Sequence, residues 1–319
     1  MRRVISIGCV LFLGLGCGSS SPGDSDGGSM TGSDGGASMG TDAGPVMAGD
    51  GGPVTGTDAG APDGCWQAAS VPDLGSLGNA GSSYPAPAAA MSCVGDEVVF
   101  TANGIPTFEY VAITPNGLDA QDYTWRFPRT PARASATTEV PLLGPAAVTV
   151  TGLPIFGPTE NPMDGYRDPF LDDQLRNLLD ECNGHTAPGG VYHFHARPEC
   201  IVAGLGGEAY GLIVGWAFDG YPILAPLVCD DASCSSTHRV SSSWRLTLAE
   251  YTLATRDAAW DIHEFVDGLG DLDECNGLTI DDPSAPYDYA YFATDSFPYF
   301  MGCYRGTPTN NGPGGGGRP

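Results

Sequence analysis

The sequence predicts a mainly β domain, antiparallel and sandwich- or barrel-like, pinned by disulfides and carrying one or two short helices. Three observations lead to this. Short apolar, β-branched runs recur between Gly and Pro turns: GDEVVFTANG, AAVTVTGLPIFGP, YGLIVGWAFDGYPILAP and SSWRLTLAEY. Within AAVTVTG, Val148 and Val150 alternate with Thr149 and Thr151, the period-two pattern of a half-buried strand. Eight cysteines accompany these runs, and an even number in an exported chain implies a disulfide framework.

The N-terminus carries the export expectation. Arg2 and Arg3 precede the apolar run VISIGCVLFLGLG, which is short for a membrane span and ends at Cys17. Residues 1–16 read as a signal peptide. LGLGC resembles a bacterial lipobox, in which Cys17 becomes the lipid-modified first residue; Gly14 stands where Leu is usual. An ordinary cleaved signal is the alternative. From 17 to 64 the chain is rich in Gly, Ser and Asp with almost no large apolar side chain, so it cannot bury enough surface to offset its ordering entropy and reads as a solvated spacer. Residues 307–319 read as a disordered tail for the same reason. The protein is expected at the outer membrane or cell surface, touching a bilayer only through its lipid, or otherwise in the periplasm or medium. The net charge of −25, with all 13 basic residues arginine, repels phosphate backbones and excludes nucleic acid as a partner.

Residues 65–306 form the globular region. Sequence locality pairs Cys65 with Cys93, Cys182 with Cys200, Cys229 with Cys234 and Cys275 with Cys303. One helix is expected in RDPFLDDQLRNLLDECNG, with Asp168 as N-cap, Leu171, Leu175 and Leu178 at helical spacing, and Asn183-Gly184 as the stop. A repeat follows. LLDECNGHTAPGGVYHFHARPEC (178–200) is echoed by DLDECNGLTIDDPSAPYDYAYFATDSFPYFMGC (271–303), where Tyr289-Ala290-Tyr291-Phe292 stands in place of Tyr192-His193-Phe194-His195. The shared aromatics suit a core-facing role; the histidines belong to the first unit alone.

YHFH, with LDECNGHT before it, GWAFDGYPILAP after it, GLGDLDECNG and DSFPYFMGCYRG, resembles the YHYH-domain proteins, a bacterial exported family. The likeness runs from roughly Gly95 to Arg305 and departs at Phe194, which keeps the ring of the motif's second tyrosine and lacks its hydroxyl. The resemblance implies a shared scaffold and no particular reaction.

The chain has five histidines, and two of them share one strand face. Successive side chains in a strand point to opposite sides, so His193 and His195 face one way and Tyr192 and Phe194 the other. The imidazoles sit about 6.6 Å apart along the strand and can lean onto one ion. His185 is the third candidate ligand; His263, Asp180 and Glu181 are less specific ones. Imidazole with carboxylate suits copper or zinc rather than calcium. Two alternatives stand beside this: a solvated polar face, and a metal-free general base. Asp267, Asp271, Asp273 and Glu274 lack the full calcium-loop pattern and read as an exposed acidic turn. Asp219, beside Gly220, marks a tight turn. Three functions are compatible with the sequence: a copper- or zinc-binding lipoprotein, a metal-dependent exported enzyme using Glu181 or Asp219, and an adhesion or envelope module without chemistry.

Overall fold

A computed structural model describes residues 64–160, 167–171, 173–231, 233–247 and 259–309. The signal segment, Cys17, the spacer through residue 63 and the tail from 310 lie outside the described residues. No helix among those described is long and apolar enough to cross a membrane.

The first strands form an antiparallel sheet of Ala89–Val94 (β1), Glu97–Ala102 (β2) and Tyr123–Pro128 (β3). Alternation directs Val98, Phe100, Trp125 and Phe127 inward, where all are buried. They meet the main sheet face to face: Phe127 stacks on Trp216 with centroids 5.6 Å apart, and Trp125 stacks on Phe218 at the same distance. Each such ring contributes about 1.5–3 kcal/mol by leaving water.

Arg133–Glu139 (β4) follows, and then Pro145–Thr149 (β5), Pro154–Phe156 (β6), Gly184–Ala187 (β7), Val191–Phe194 (β8), Ile213–Ala217 (β9) and Pro222–Leu224 (β10). Two ribbons come next, Leu227–Cys229 (β11) with Thr237–Arg239 (β12) and Trp244–Leu246 (β13) with His263–Phe265 (β14). Gly277–Thr279 (β15), Tyr289–Phe292 (β16) and Cys303–Gly306 (β17) end the series, and β17 pairs with β4.

The main sheet has eight strands in the order β7-β8-β6-β5-β9-β10-β16-β15. This is an open mixed sheet, and the described strands form no closed barrel. The antiparallel expectation fails at two places, since β6 runs parallel to β8 and β10 parallel to β16. Both parallel pairs join strands distant in sequence, Ile155 to Phe194 and Ile223 to Tyr291, through long crossovers that a local pattern does not reveal.

That order is symmetric. Exchanging β5, β6, β7 and β8 for β9, β10, β15 and β16 reproduces it, with a pseudo-twofold between β5 and β9, where Val148 pairs with its own counterpart Trp216. The repeat therefore begins well upstream of the DECNG blocks. GLPIFGP (152–158) matches GYPILAP (220–226), and the leading glycines, Gly152 and Gly220, hold φ of 86° and 91°. A side chain strains that region of backbone, so glycine recurs in both copies.

The DECNG turns are built alike. Asp180 Oδ1 accepts from the Cys182 and Gly184 amides at 2.9 and 3.1 Å, and Asp273 Oδ1 accepts from Cys275 and Gly277 at 3.0 and 3.1 Å. Tyr192 Oη donates to Asp180 at 2.6 Å, and Tyr289 Oη to Asp273 at 2.9 Å. Disulfides Cys182–Cys200 and Cys275–Cys303 close each unit, while Cys65–Cys93 and Cys229–Cys234 pin the rest, so all four are sequential pairs. The long helix expected between Asp168 and Gly184 is a correction. Among the described residues of this stretch only Asp173–Arg176 is helical, the Leu178 and Leu179 amides bond three residues back, and Asp180 is drawn into its turn. Asp168 caps the turn at Phe170 instead, its carboxylate accepting from that amide at 2.8 Å.

Candidate metal centre

The hairpin β7–β8 pairs His185 with His193 directly, and His195 follows one residue past β8 on the same face as His193. All three rings are buried, at 7, 2 and 1 % exposure. Their Nε2 atoms converge: His185 to His193 and His193 to His195 are 3.0 Å, and His195 to His185 is 3.3 Å. The opposite face carries Tyr192 and Phe194 into the core, where Phe108 packs on both. The pleat thus separates ligand face from core face, as the alternation requires.

A fourth donor arrives from the crossover after β6. Glu160 Oε2 lies 2.9 Å from His185 Nε2 and 3.1 Å from His195 Nε2. Its side chain is 19 % exposed, the most open of the four. Phe156, also on β6, stacks on His193 with centroids 3.9 Å apart and shields the cluster.

Hydrogen positions decide what these nitrogens can do. His193 Nδ1 faces the Val191 carbonyl at 3.2 Å, and His195 Nδ1 faces the Gly157 carbonyl at 3.1 Å. A carbonyl only accepts, so each Nδ1 carries the hydrogen and each neutral ring presents a bare lone pair at Nε2. Burial, reinforced by repulsion from His195 and His185, holds the His193 pKa well below the usual imidazole range. Burial pushes the Glu160 carboxyl up, but the His185 and His195 imidazole edges that face it outweigh this and leave the group well below the carboxylate range. The bare His193 and His195 nitrogens, 3.0 Å apart, and the Glu160 oxygen 3.1 Å from His195 repel one another unless a proton or a cation lies among them. Those four side chains are a donor set able to hold a metal ion.

The other sequence candidates are committed elsewhere. His263 bonds the Ala259 carbonyl through Nδ1 at 2.7 Å and stacks on Phe297 at 3.9 Å. Asp180 belongs to its turn, and Glu181 is exposed. Asp219 is buried and accepts from Tyr291 Oη at 2.6 Å and the Gly306 amide at 2.8 Å, which anchors β17 rather than facing the histidines. Asp271 accepts from Ser241, Asp273 serves its turn, and Glu274 is exposed beside the Cys275–Cys303 disulfide, whose sulfurs are already bonded. Glu160 and Phe156 are the two site residues that sequence reasoning missed.

The sequence model of a family described as YHYH protein matches residues 124–306, more than half of the 319-residue chain. No curated protein and no solved structure matches it. The matched span holds β5 to β17, both repeats and all four donors, and the chain belongs to the YHYH protein family.

Proposed function

We propose that this protein is an exported, lipid-anchored zinc-binding protein whose ion is held by His185, His193, His195 and Glu160. The observation that carries the reading is the convergence of three buried Nε2 atoms within 3.0–3.3 Å, two of them with the hydrogen fixed on the far nitrogen. A tetrahedron with bonds of 2.0–2.1 Å has edges of about 3.3–3.4 Å. The separations from 2.9 to 3.3 Å approach that figure. A square-planar copper(II) site needs two opposed pairs about 4 Å apart, and no pair among the three imidazoles reaches that, so zinc is favoured over copper.

Four protein donors favour holding an ion over catalysis, which leaves a coordination position free. The acids that an enzyme would draw on, Glu181 and Asp219, serve the surface and a strand anchor. Export and attachment through Cys17 rest on the leader and spacer of the sequence.

Calorimetric titration of chelator-stripped protein with zinc sulfate tests this. One ion per chain should bind saturably, and the His193→Ala, His195→Ala double variant should bind none. Absence of uptake by the parent protein, or equal uptake by the double variant, refutes the reading.

A further inference from the structure

The pseudo-twofold places a counterpart of the histidine cluster near the other edge of the main sheet, and its chemistry is inverted. By strand register and the GLPIFGP/GYPILAP match, His185, His193 and His195 correspond to Leu278, Ala290 and Phe292, and Glu160 to Val228. Phe156, which covers His193, corresponds to Leu224. Every donor is replaced by hydrocarbon, yet the space is not filled. A cavity of about 330 Å³ lies there, with Leu224, Val228, Leu278 and Phe292 in its wall.

What surrounds this apolar patch restricts its occupant. Tyr210 and Tyr287 add aromatic faces, and Asp281 and Asp282 add carboxylates; no lining residue is basic. Hydrogen bonds from the Ser284 hydroxyl and amide hold the Asp282 carboxyl below its usual range, so the group is charged at neutral pH. A hydrated metal ion finds no converging donors in such a wall. An anion meets two carboxylates and a chain of net charge −25. The volume lies at the lower end of small-molecule pockets, about 300–1,000 Å³, and suits one small molecule. Aromatic faces beside carboxylates accept a cation through both quadrupole and charge.

We infer that this cavity binds a small organic cation with an apolar body, an aryl- or alkylammonium. Its hydrocarbon part lies against Leu278, Val228 and Phe292, and its ammonium faces Asp281 and Asp282. The two repeats then divide labour, one holding a metal ion and the other an organic cation, on the same strand framework.

The test is titration of the zinc-treated full chain with 2-phenylethylammonium chloride, followed by calorimetry. Saturable binding of one equivalent is expected, with phenylacetate, the same ring bearing the opposite charge, binding about tenfold more weakly or worse. Asp281→Asn with Asp282→Asn removes the charge from one exposed and one half-buried position outside the core and should weaken binding about fivefold or more. Leu278→Phe fills the cavity and should abolish it. The His193→Ala, His195→Ala variant should bind the ammonium unchanged, which separates this site from the zinc reading. No saturation by the parent protein, equal binding of phenylacetate, or insensitivity to either the asparagine pair or Leu278→Phe overturns the inference.

Discussion

Replacing His193 with Ala separates the metal centre from the scaffold that presents it. The second repeat shows that the scaffold tolerates the change, because Ala290 is fully buried at the same register position of the matching strand. His193 Nε2 stands 3.0 Å from both other imidazole donors, so its loss opens the side of the set that faces them both. An ion that binds only the folded chain stabilises it by RT ln(1 + [L]/Kd), about 2.7 kcal/mol at one hundred times Kd. Loss of a partner behind a ligand weakens a metal site by about 10–100-fold, so loss of the ligand itself weakens it at least about a hundredfold. At the same zinc concentration about 0.4 kcal/mol remains. A domain of this size gains about 2–4 °C in Tm per kcal/mol. The zinc-induced rise should therefore fall from about 5–11 °C in the parent to about 1–2 °C in the variant. Differential scanning calorimetry of stripped protein, with free zinc buffered at a hundred times the parent Kd, measures both. A full rise in His193→Ala, or none in the parent, refutes the reasoning.

Three further outcomes follow from the scaffold. Burial raises the Asp168 pKa to about 7 against hydrogen bonds from Phe170, Tyr299 and Leu171, so the folded state binds the proton more tightly than the unfolded chain does. Its stabilising contribution is complete below the unfolded carboxyl value and is lost as pH rises through about 7; Asp168→Asn should match the parent in urea denaturation at pH 4 and exceed it at pH 8. A Cβ on Gly277 would collide with Tyr289 Oη and the Ala290 carbonyl, so Gly277→Ala should cost about 1–3 kcal/mol while leaving zinc stoichiometry at one. Tyr192→Phe and Tyr289→Phe each remove the hydroxyl bond to a turn aspartate and should cost similar amounts, about 1–3 kcal/mol in denaturant titration; a large cost in one copy with none in the other contradicts the equivalence of the repeats.

Much of the centre was legible because its geometry is local. The two-residue period puts His193 and His195 on one face, and His185 joins them because a short hairpin opposes it to His193. The disulfides follow locality for the same reason: each closes a loop within one unit or beside it. Glu160 was not legible, since it reaches the site through a parallel pairing of Ile155 with Phe194, and no periodicity encodes which distant strand lies alongside. The upstream half of the duplication could have been read from Gly-x-Pro-Ile recurring at 152–155 and 220–223. The helix after Asp168 was overpredicted because leucine spacing fits a helix, whereas the Asp180 turn and its disulfide impose a different backbone. Local propensity yields to tertiary bonds there.

Zinc K-edge X-ray absorption on the stoichiometrically loaded full chain tests the donor set most directly. Three imidazoles and one carboxylate predict a four-coordinate nitrogen and oxygen shell at about 2.0–2.1 Å, with the outer scattering of several histidine rings. Six-coordinate zinc in an oxygen-only shell, or a spectrum without imidazole scattering, contradicts it.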